Sequence, residues 1–448
     1  MEPLTTESSS MSPDVPPRSP GAKSLSRSAL VLFVAILAAG VAFRVFCATR
    51  YGPVVAGDSP PYLRMAEMIH TGDYASYNGW RPHGYPSFLN LFNSVLETVV
   101  LVQNVLGFLA ALFGSFVFWH LTHKPLLATL LGAFLSLSLN LVFLDEYILT
   151  ESLSSVLFSL FAGTLILACA SSRVSPLVWA LCGLSVAALT LTRPPRAFLL
   201  SLVLFLGCSL PPVVALLSFN KTHLGKATLS TTLSFNLTQH TLPFIEAAKA
   251  VDETHLIPEI VRLRDKHWEH AQALDDNRAF IPRPDPYPLP DAYLRLSLEA
   301  IRRKPFLYLS SVWKAWLRFW RVSLMYDSAF LRSPRIAALV PWIWKFQKSL
   351  WLVANLLFVL NLPFVALNLF KRHCVGWVEF LSLSILAVSF LQALVEYGDN
   401  SRYAIPMQPF IALMALYSLT VADSSRFTLA TLFHRRWTRK SSRMGRTS

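Results

Sequence analysis

Apolar residues occur along this chain in long unbroken runs, with neither the alternation of a half-buried strand nor the single stripe of a helix on a water-soluble core. The runs fall at roughly 29–48, 99–119, 125–144, 153–170, 177–192, 197–219, 349–369, 376–395 and 406–422. A helix needs about 20 apolar residues to cross the hydrocarbon of a bilayer, so the pattern predicts roughly eight to ten spans and an all-α polytopic membrane protein. The polar stretches between the runs divide the chain further. Residues 1–28, rich in Ser and Pro, read as a disordered cytoplasmic tail. Residues 29–219 form an N-terminal transmembrane module that includes a polar external loop at 49–97. Residues 220–348 form an external subdomain with amphipathic helices, 349–422 the C-terminal transmembrane helices, and 423–448 a basic cytoplasmic tail.

Composition agrees with the pattern, since 53% of the 448 residues are hydrophobic and only 15% charged. The formal net charge of +14 matters through its placement. Lys23 and Arg27 precede the first run, Lys371 and Arg372 form a tight loop, and Arg426, Arg435, Arg436, Arg439, Lys440, Arg443 and Arg446 crowd the tail. Cationic residues beside short loops stay inside, which puts all three places in the cytoplasm. After a last span, such a tail means contact with anionic membrane lipid, and no nucleic-acid partner is expected. The five cysteines are scattered in or beside the runs and read as packing residues, and the first run reads as a retained signal anchor.

With the N-terminus inside, loop 49–97 lies outside. In it Ser59 can cap a helix that starts on Pro60, with Tyr62, Ala66 and Ile69 on one face and Arg64 and Glu67 facing away, as in a short helix on the membrane surface. The third run emerges at 143–151 and the fifth ends outside at Leu191-Thr192-Arg193-Pro194-Pro195-Arg196. Residues 197–219 hold one full span, yet counting back from the basic tail places 323–348 outside. The two counts agree if Pro211-Pro212 breaks 197–219 into a re-entrant pair and 291–322 lies along the membrane.

Three external turns then gather the unusual chemistry. The first carries Asp58, Arg81 and His83, the second Asp145, Glu146 and Glu151, and the third, 396–403, carries Glu396, Asp399 and Arg402. Each group has an ordinary structural role open to it, as a helix cap, a first-turn acid or a snorkelling cation. Their convergence on one face points instead to a site, because ionisable groups near bilayer depth are costly. A carboxylate can take a proton from an acceptor while guanidinium or imidazole stabilises charge on a departing phosphate. No glycine-rich phosphate loop, zinc-binding histidine pair or nucleophile elbow is present.

Asp58 followed by Arg81-Pro82-His83-Gly84-Tyr85-Pro86 resembles the first external loop of the GT-C superfamily of glycosyltransferases that use polyprenyl-phosphate sugars. Members include the family 39 protein O-mannosyltransferases, the lipid A aminoarabinose transferases and bacterial homologues. The loop often reads Arg-Pro-Pro-Gly-Tyr-Pro there, so His83 is a departure. The resemblance continues through Thr150-Glu151-Ser152-Leu153, Leu191-Thr192-Arg193-Pro194, 220–236 with Leu229-Ser230-Thr231-Thr232, 300–309, and Ser401-Arg402-Tyr403 with Pro406. It implies a GT-C-like transmembrane helix bundle with external amphipathic helices and a small external subdomain.

The same resemblance implies Asp58 as catalytic base, Asp145 and Glu146 as a second acidic turn organising the site, and Glu151 about a turn deeper. Arg81, Arg193 and Arg402 become candidates for the lipid phosphate, with His83, Tyr85 and Tyr403 completing the substrate-binding set. The implied reaction is an inverting transfer from a polyprenyl-phosphate-linked sugar to a lipid, glycan or protein acceptor. It would take place on the periplasmic face of a bacterial inner membrane. No metal-ligand set stands out, and a divalent cation is left as an option. Two other classes compete, a transporter or lipid flippase and a non-catalytic GT-C-like assembly subunit. The sequons Asn220-Lys221-Thr222 and Asn236-Leu237-Thr238 would be glycan sites in a eukaryotic lumen.

Overall fold

The computed structural model describes residues 27–55, 58–170, 184–185, 204–262, 265, 289–372, 376–397 and 400–423. The two tails, the fifth apolar run with Arg193, the Pro-rich loop at 282–286 and Asp399 lie outside the described residues. Regular structure among the described residues is helical, apart from one isolated parallel bridge between Val54 and Tyr147.

Among the described residues, six stretches are long and apolar enough to cross a bilayer. They are α1 (Arg27–Arg50), α4 (Leu96–Thr122), α7 (Thr150–Ala170), α12 (Pro334–Arg372), α13 (Trp377–Val395), and the segment Ser401–Thr420 within α14 (Asn400–Ala404) and α15 (Gln408–Asp423). This is a multi-pass α-helical membrane protein. The apolar run at 125–144 is broken into α5 (Pro125–Ser136) and α6 (Leu139–Asp145) with a 48° bend, long and apolar enough for a seventh crossing if the pair is one span.

The break needs a partner for every freed backbone group, because hydrocarbon supplies none. Gln347 of α12 provides it, donating from Nε2 to Leu137 O at 3.0 Å and accepting Leu139 N at Oε1 at 2.8 Å. Trp351 Nε1 donates to Ser138 Oγ at 2.9 Å, and Asn140 Nδ2 to Gln408 Oε1 at 2.5 Å. The bend is thus sealed by side chains distant in sequence.

Two expectations change. α12 runs unbroken for 39 residues, about 58 Å at 1.5 Å per residue, so the boundary placed at 348/349 falls inside one helix. α8 (Leu204–Leu224) passes straight through Pro211-Pro212. The rings remove two amide donors but hold φ near its helical value, so they weaken that helix without ending it. An unbroken α8 removes the re-entrant turn expected at Pro211-Pro212, while the segment that follows still lies against loop 49–97, Thr231 N donating to Gly79 O at 3.0 Å.

Between α8 and α12 lies a small helical unit of α9 (Thr232–Thr241), a 3-10 helix Leu242–Val251, a short helix at 256–262 and α10 (Pro290–Arg303). Phe235, Ile245, Ala248, Ile257, Ile260, Tyr293, Leu296 and Ala300 form its core. α11 (Pro305–Phe319) follows with apolar residues on two sides. Val312, Ala315 and Phe319 face inward, while Phe306, Leu309, Trp313 and Leu317 are exposed at helical spacing. α11 rests on α13, where Tyr308 donates to Leu394 O at 2.7 Å and Trp316 Nε1 to Ser389 Oγ at 3.0 Å. A cavity of about 700 Å³ opens beside this contact, lined by Trp313, Trp316, Phe380, Leu383, Ala387 and Phe390 among others.

Candidate active site

The ends of several spans meet at one end of the bundle. The segment after α1 pairs with the α6–α7 connection, Val54 N donating to Glu146 O at 2.8 Å and Ile148 N to Val54 O at 3.1 Å. α2 (Ser59–Thr71) and α3 (Gly84–Asn90) lie there between α1 and α4. α2 buries Tyr62, Met65, Ala66 and Met68 and exposes Arg64 and Glu67, close to the expected faces.

Its cap differs from expectation. Asp58, not Ser59, holds the N-cap position, and its carboxylate makes no capping bond. An N-cap side chain bonds the amide of the second or third helical residue, and those residues here are Pro60 and Pro61, which have no N–H. Asp58-Ser59-Pro60-Pro61 therefore denies the carboxylate its usual partners. It bonds guanidiniums instead, with Arg81 Nη2 at 2.6 Å from Oδ1 and Arg402 Nη2 at 2.8 Å from Oδ2. Arg402 Nε lies 2.7 Å from Glu151 Oε1 in the first turn of α7. The result is a chain of alternating sign, Arg81–Asp58–Arg402–Glu151, with Asp58 5% and Glu151 1% exposed. Such burial is tolerated because each charge is paired.

Aromatic rings enclose the chain. The Arg81 guanidinium sits 4.7 Å from the Tyr62 ring centroid and 5.2 Å from that of Trp80, and the Arg402 guanidinium 5.4 Å from that of Tyr403. Burial lowers the pKa of Arg81, but Asp58 beside it more than compensates and the net direction is upward. Tyr85 packs edge-on to Tyr62 and donates from its hydroxyl to Gln103 Oε1 at 2.8 Å. Gln103 Nε2 in turn donates to the carbonyls of Asp145 and Tyr147 at 2.8 and 3.1 Å. Burial pushes the Tyr85 phenol well up, so it acts here as a neutral donor.

Asp145 and Glu146 join a different assembly. Arg44 of α1 places Nη1 2.5 Å from Asp145 Oδ2, and Ser152 Oγ donates to Asp145 Oδ1 at 2.5 Å. Asn104 Nδ2 donates to Glu146 Oε1 at 3.1 Å. Burial pushes the Glu146 carboxyl up to about 8, against the lowering effect of the Asn104 bond. A Cβ at Gly107 would lie 2.3 Å from Asp145 Oδ2 and 3.1 Å from Arg44 Nη1, so the pair fits because α4 has no side chain there. Arg44 was not among the sequence candidates, although a lone arginine inside the first apolar run is the signal that would have found it.

His83 faces away from the ion chain. Its ring meets Phe219 at 4.5 Å and Tyr77 at 5.4 Å, and both ring nitrogens are buried without a hydrogen-bond partner. Burial, and then the nearby His223, hold its pKa down to about 4, so it offers no cation at neutral pH. Asn220 is fully buried, accepting from Tyr77 Oη and donating to Thr228 O, both at 2.5 Å, which closes that sequon to a glycan. Among the described residues no three His, Cys, Asp or Glu side chains come together as a metal-ligand set.

No family model and no curated protein matches this chain. Among solved structures it is similar to the crystal structure of ArnT from Cupriavidus metallidurans in the apo state, at 12% identity and a TM-score of 0.31, covering 86% of this chain and 77% of that one. At that level of superposition the fold description rests on the helices themselves.

Proposed function

We propose that the chain is a GT-C-like integral membrane glycosyltransferase that moves a sugar from a polyprenyl-phosphate donor to an acceptor, with inversion, at the outer face of a bacterial inner membrane. The observation that carries this reading is the placement of Asp58 between two guanidiniums, with Glu151 behind the second. A phosphodiester carries its negative charge on two non-bridging oxygens, and guanidinium N–H groups bond these as they bond a carboxylate. A donor phosphate that displaces Asp58 from Arg81 and Arg402 frees a carboxylate next to the bound phosphate. Glu151 keeps Arg402 in place during the exchange.

The acceptor oxygen or nitrogen then attacks the anomeric carbon from the face opposite the phosphate, and its proton passes to Asp58. The bond from that carbon to the phosphate oxygen breaks with both electrons leaving on the phosphate, where the guanidiniums stabilise the charge. The apolar cavity between α11 and α13 suits an isoprenoid tail. The test is transfer from a labelled polyprenyl-phosphate sugar in membranes bearing Asp58→Asn. Loss of transfer with retained donor binding is expected, and transfer at the normal rate removes Asp58 from the mechanism.

A second reading has its own support. The four-residue ion chain is already neutral and buried, as a non-catalytic assembly subunit would keep it. Under that reading the wild-type protein binds no polyprenyl phosphate.

A further inference from the structure

The two arginines that hold Asp58 come from segments far apart in the sequence, and one short helix runs from the residue before Arg81 to Tyr397. Just before and at the start of α9, three consecutive residues grip three consecutive carbonyls. Ser230 Oγ and Thr232 Oγ1 donate to Trp80 O at 2.8 and 2.6 Å, Thr231 N to Gly79 O at 3.0 Å, and Thr231 Oγ1 to Asn78 O at 3.1 Å. Arg81 is the next residue. The loop has no slack on its other side, since Gly79 is at φ 70° and a Cβ there would lie 2.3 Å from Leu224 Cδ1.

At the far end of α9, His240 is fully buried, with Nδ1 2.9 Å from Ser311 Oγ. Its ring wedges against Tyr308 and Tyr397, each at 5.6 Å. Tyr397 is held on its own side by Arg318, whose guanidinium stacks 4.5 Å from the ring centroid and donates to Tyr397 O at 3.4 Å. Tyr397 lies five residues before Arg402 in the sequence. Between these ends α9 spans about 15 Å for its ten residues, and Thr238 and Thr241 bond Ser297 of α10 at 3.0 and 3.2 Å.

We infer that α9 is a strut that sets the separation of Arg81 and Arg402 around Asp58, with Ser230, Thr232 and His240 as positioning residues. None of the three contributes to the ion chain; Ser230 and Thr232 bond the carbonyl next to Arg81, and His240 packs on Tyr397, five residues before Arg402. The strut belongs to the small helical unit, so a change in that unit is transmitted to both guanidiniums together. Its consequence for turnover rests on the glycosyltransferase reading, whereas its mechanics do not.

The test is hydrogen exchange by mass spectrometry on the full chain in lipid nanodiscs, following peptides that contain Arg81, Arg402 and, as control, α10. Ser230→Ala/Thr232→Val and His240→Ala should each speed exchange at both arginine peptides by roughly tenfold, the effect of losing one or two net hydrogen bonds, while α10 is unchanged. Thr232→Ser, which keeps the hydroxyl, should stay near wild type. If each variant loosens only its own end, or α10 loosens equally, the strut is overturned. In a transfer assay the same variants should lower kcat with KM nearly unchanged. A wild-type protein that transfers nothing would overturn the glycosyltransferase reading and leave the exchange result to decide the strut.

Discussion

Two buried carboxylate–guanidinium assemblies sit at the same end of this bundle, and they are built in opposite ways. Arg44–Asp145 is enclosed by spans, with α1 giving the cation, α6 the anion, α7 the Ser152 bond and α4 the gap at Gly107. Arg81–Asp58–Arg402–Glu151 is assembled from a loop, the start of α2, the short helix α14 and the first turn of α7. In the first, one carboxylate is held by one cation and one hydroxyl. The second holds one carboxylate with two cations that could each take a different anion. Buried pairs of the first kind set geometry, and those of the second kind can exchange partners.

The comparison breaks most sharply at Asp58. Asp58→Asn should lower transfer by about 10²–10⁴-fold, the usual worth of a positioned general base, and should also lower the melting temperature, because Arg81 loses its carboxylate partner. Arg44→Met should act through stability first, with about 3–5 kcal/mol lost because Asp145 is left charged and buried. Arg44→Met/Asp145→Asn should recover most of that loss, and a double mutant no more stable than the single would deny the pairing. Gly107→Ala should cost about 1–3 kcal/mol, since Arg44 and Ser152 leave the Asp145 carboxylate nowhere to retreat.

The smallest effect is a pH dependence. The Glu146 carboxyl is raised to about 8 from an ordinary 4.5, so the folded state binds this proton more tightly than the unfolded one. Its stabilising contribution is complete below pH 4.5 and is lost as pH climbs through about 8. Glu146→Gln, which mimics the protonated form, should therefore match wild type near pH 5 and exceed it in melting temperature near pH 8. Equal melting curves at both values would place Glu146 in a wetter setting than its burial implies.

Much of this was legible in the residues. Runs of about 20 apolar positions have one stable solution in a bilayer, and so the spans were visible. Asp58, Arg81, Glu151 and Arg402 were also visible, because polar clusters between such runs are few. The Asp-Ser-Pro-Pro order even contains the reason the Asp58 side chain makes no capping bond, though that reading depends on which residue is the cap. Less accessible was the division of the second acidic turn, where Asp145 and Glu151 lie six residues apart yet serve different arginines. Spacing along the chain does not say which way each carboxylate faces.

The amino-acid order by itself determined that the chain is helical and membrane-spanning and which ionisable groups gather at the span ends. Both follow from local hydropathy, which needs no knowledge of neighbours. Tertiary structure alone decided the pairings, the bend at Leu137-Ser138 and the unbroken course of α12. Each depends on a partner distant in sequence, such as Gln347 for the bend, Gly107 for the Arg44 pair or Arg402 for Asp58. A buried polar group takes its position from whatever satisfies it, and that partner is known only once the chain has folded.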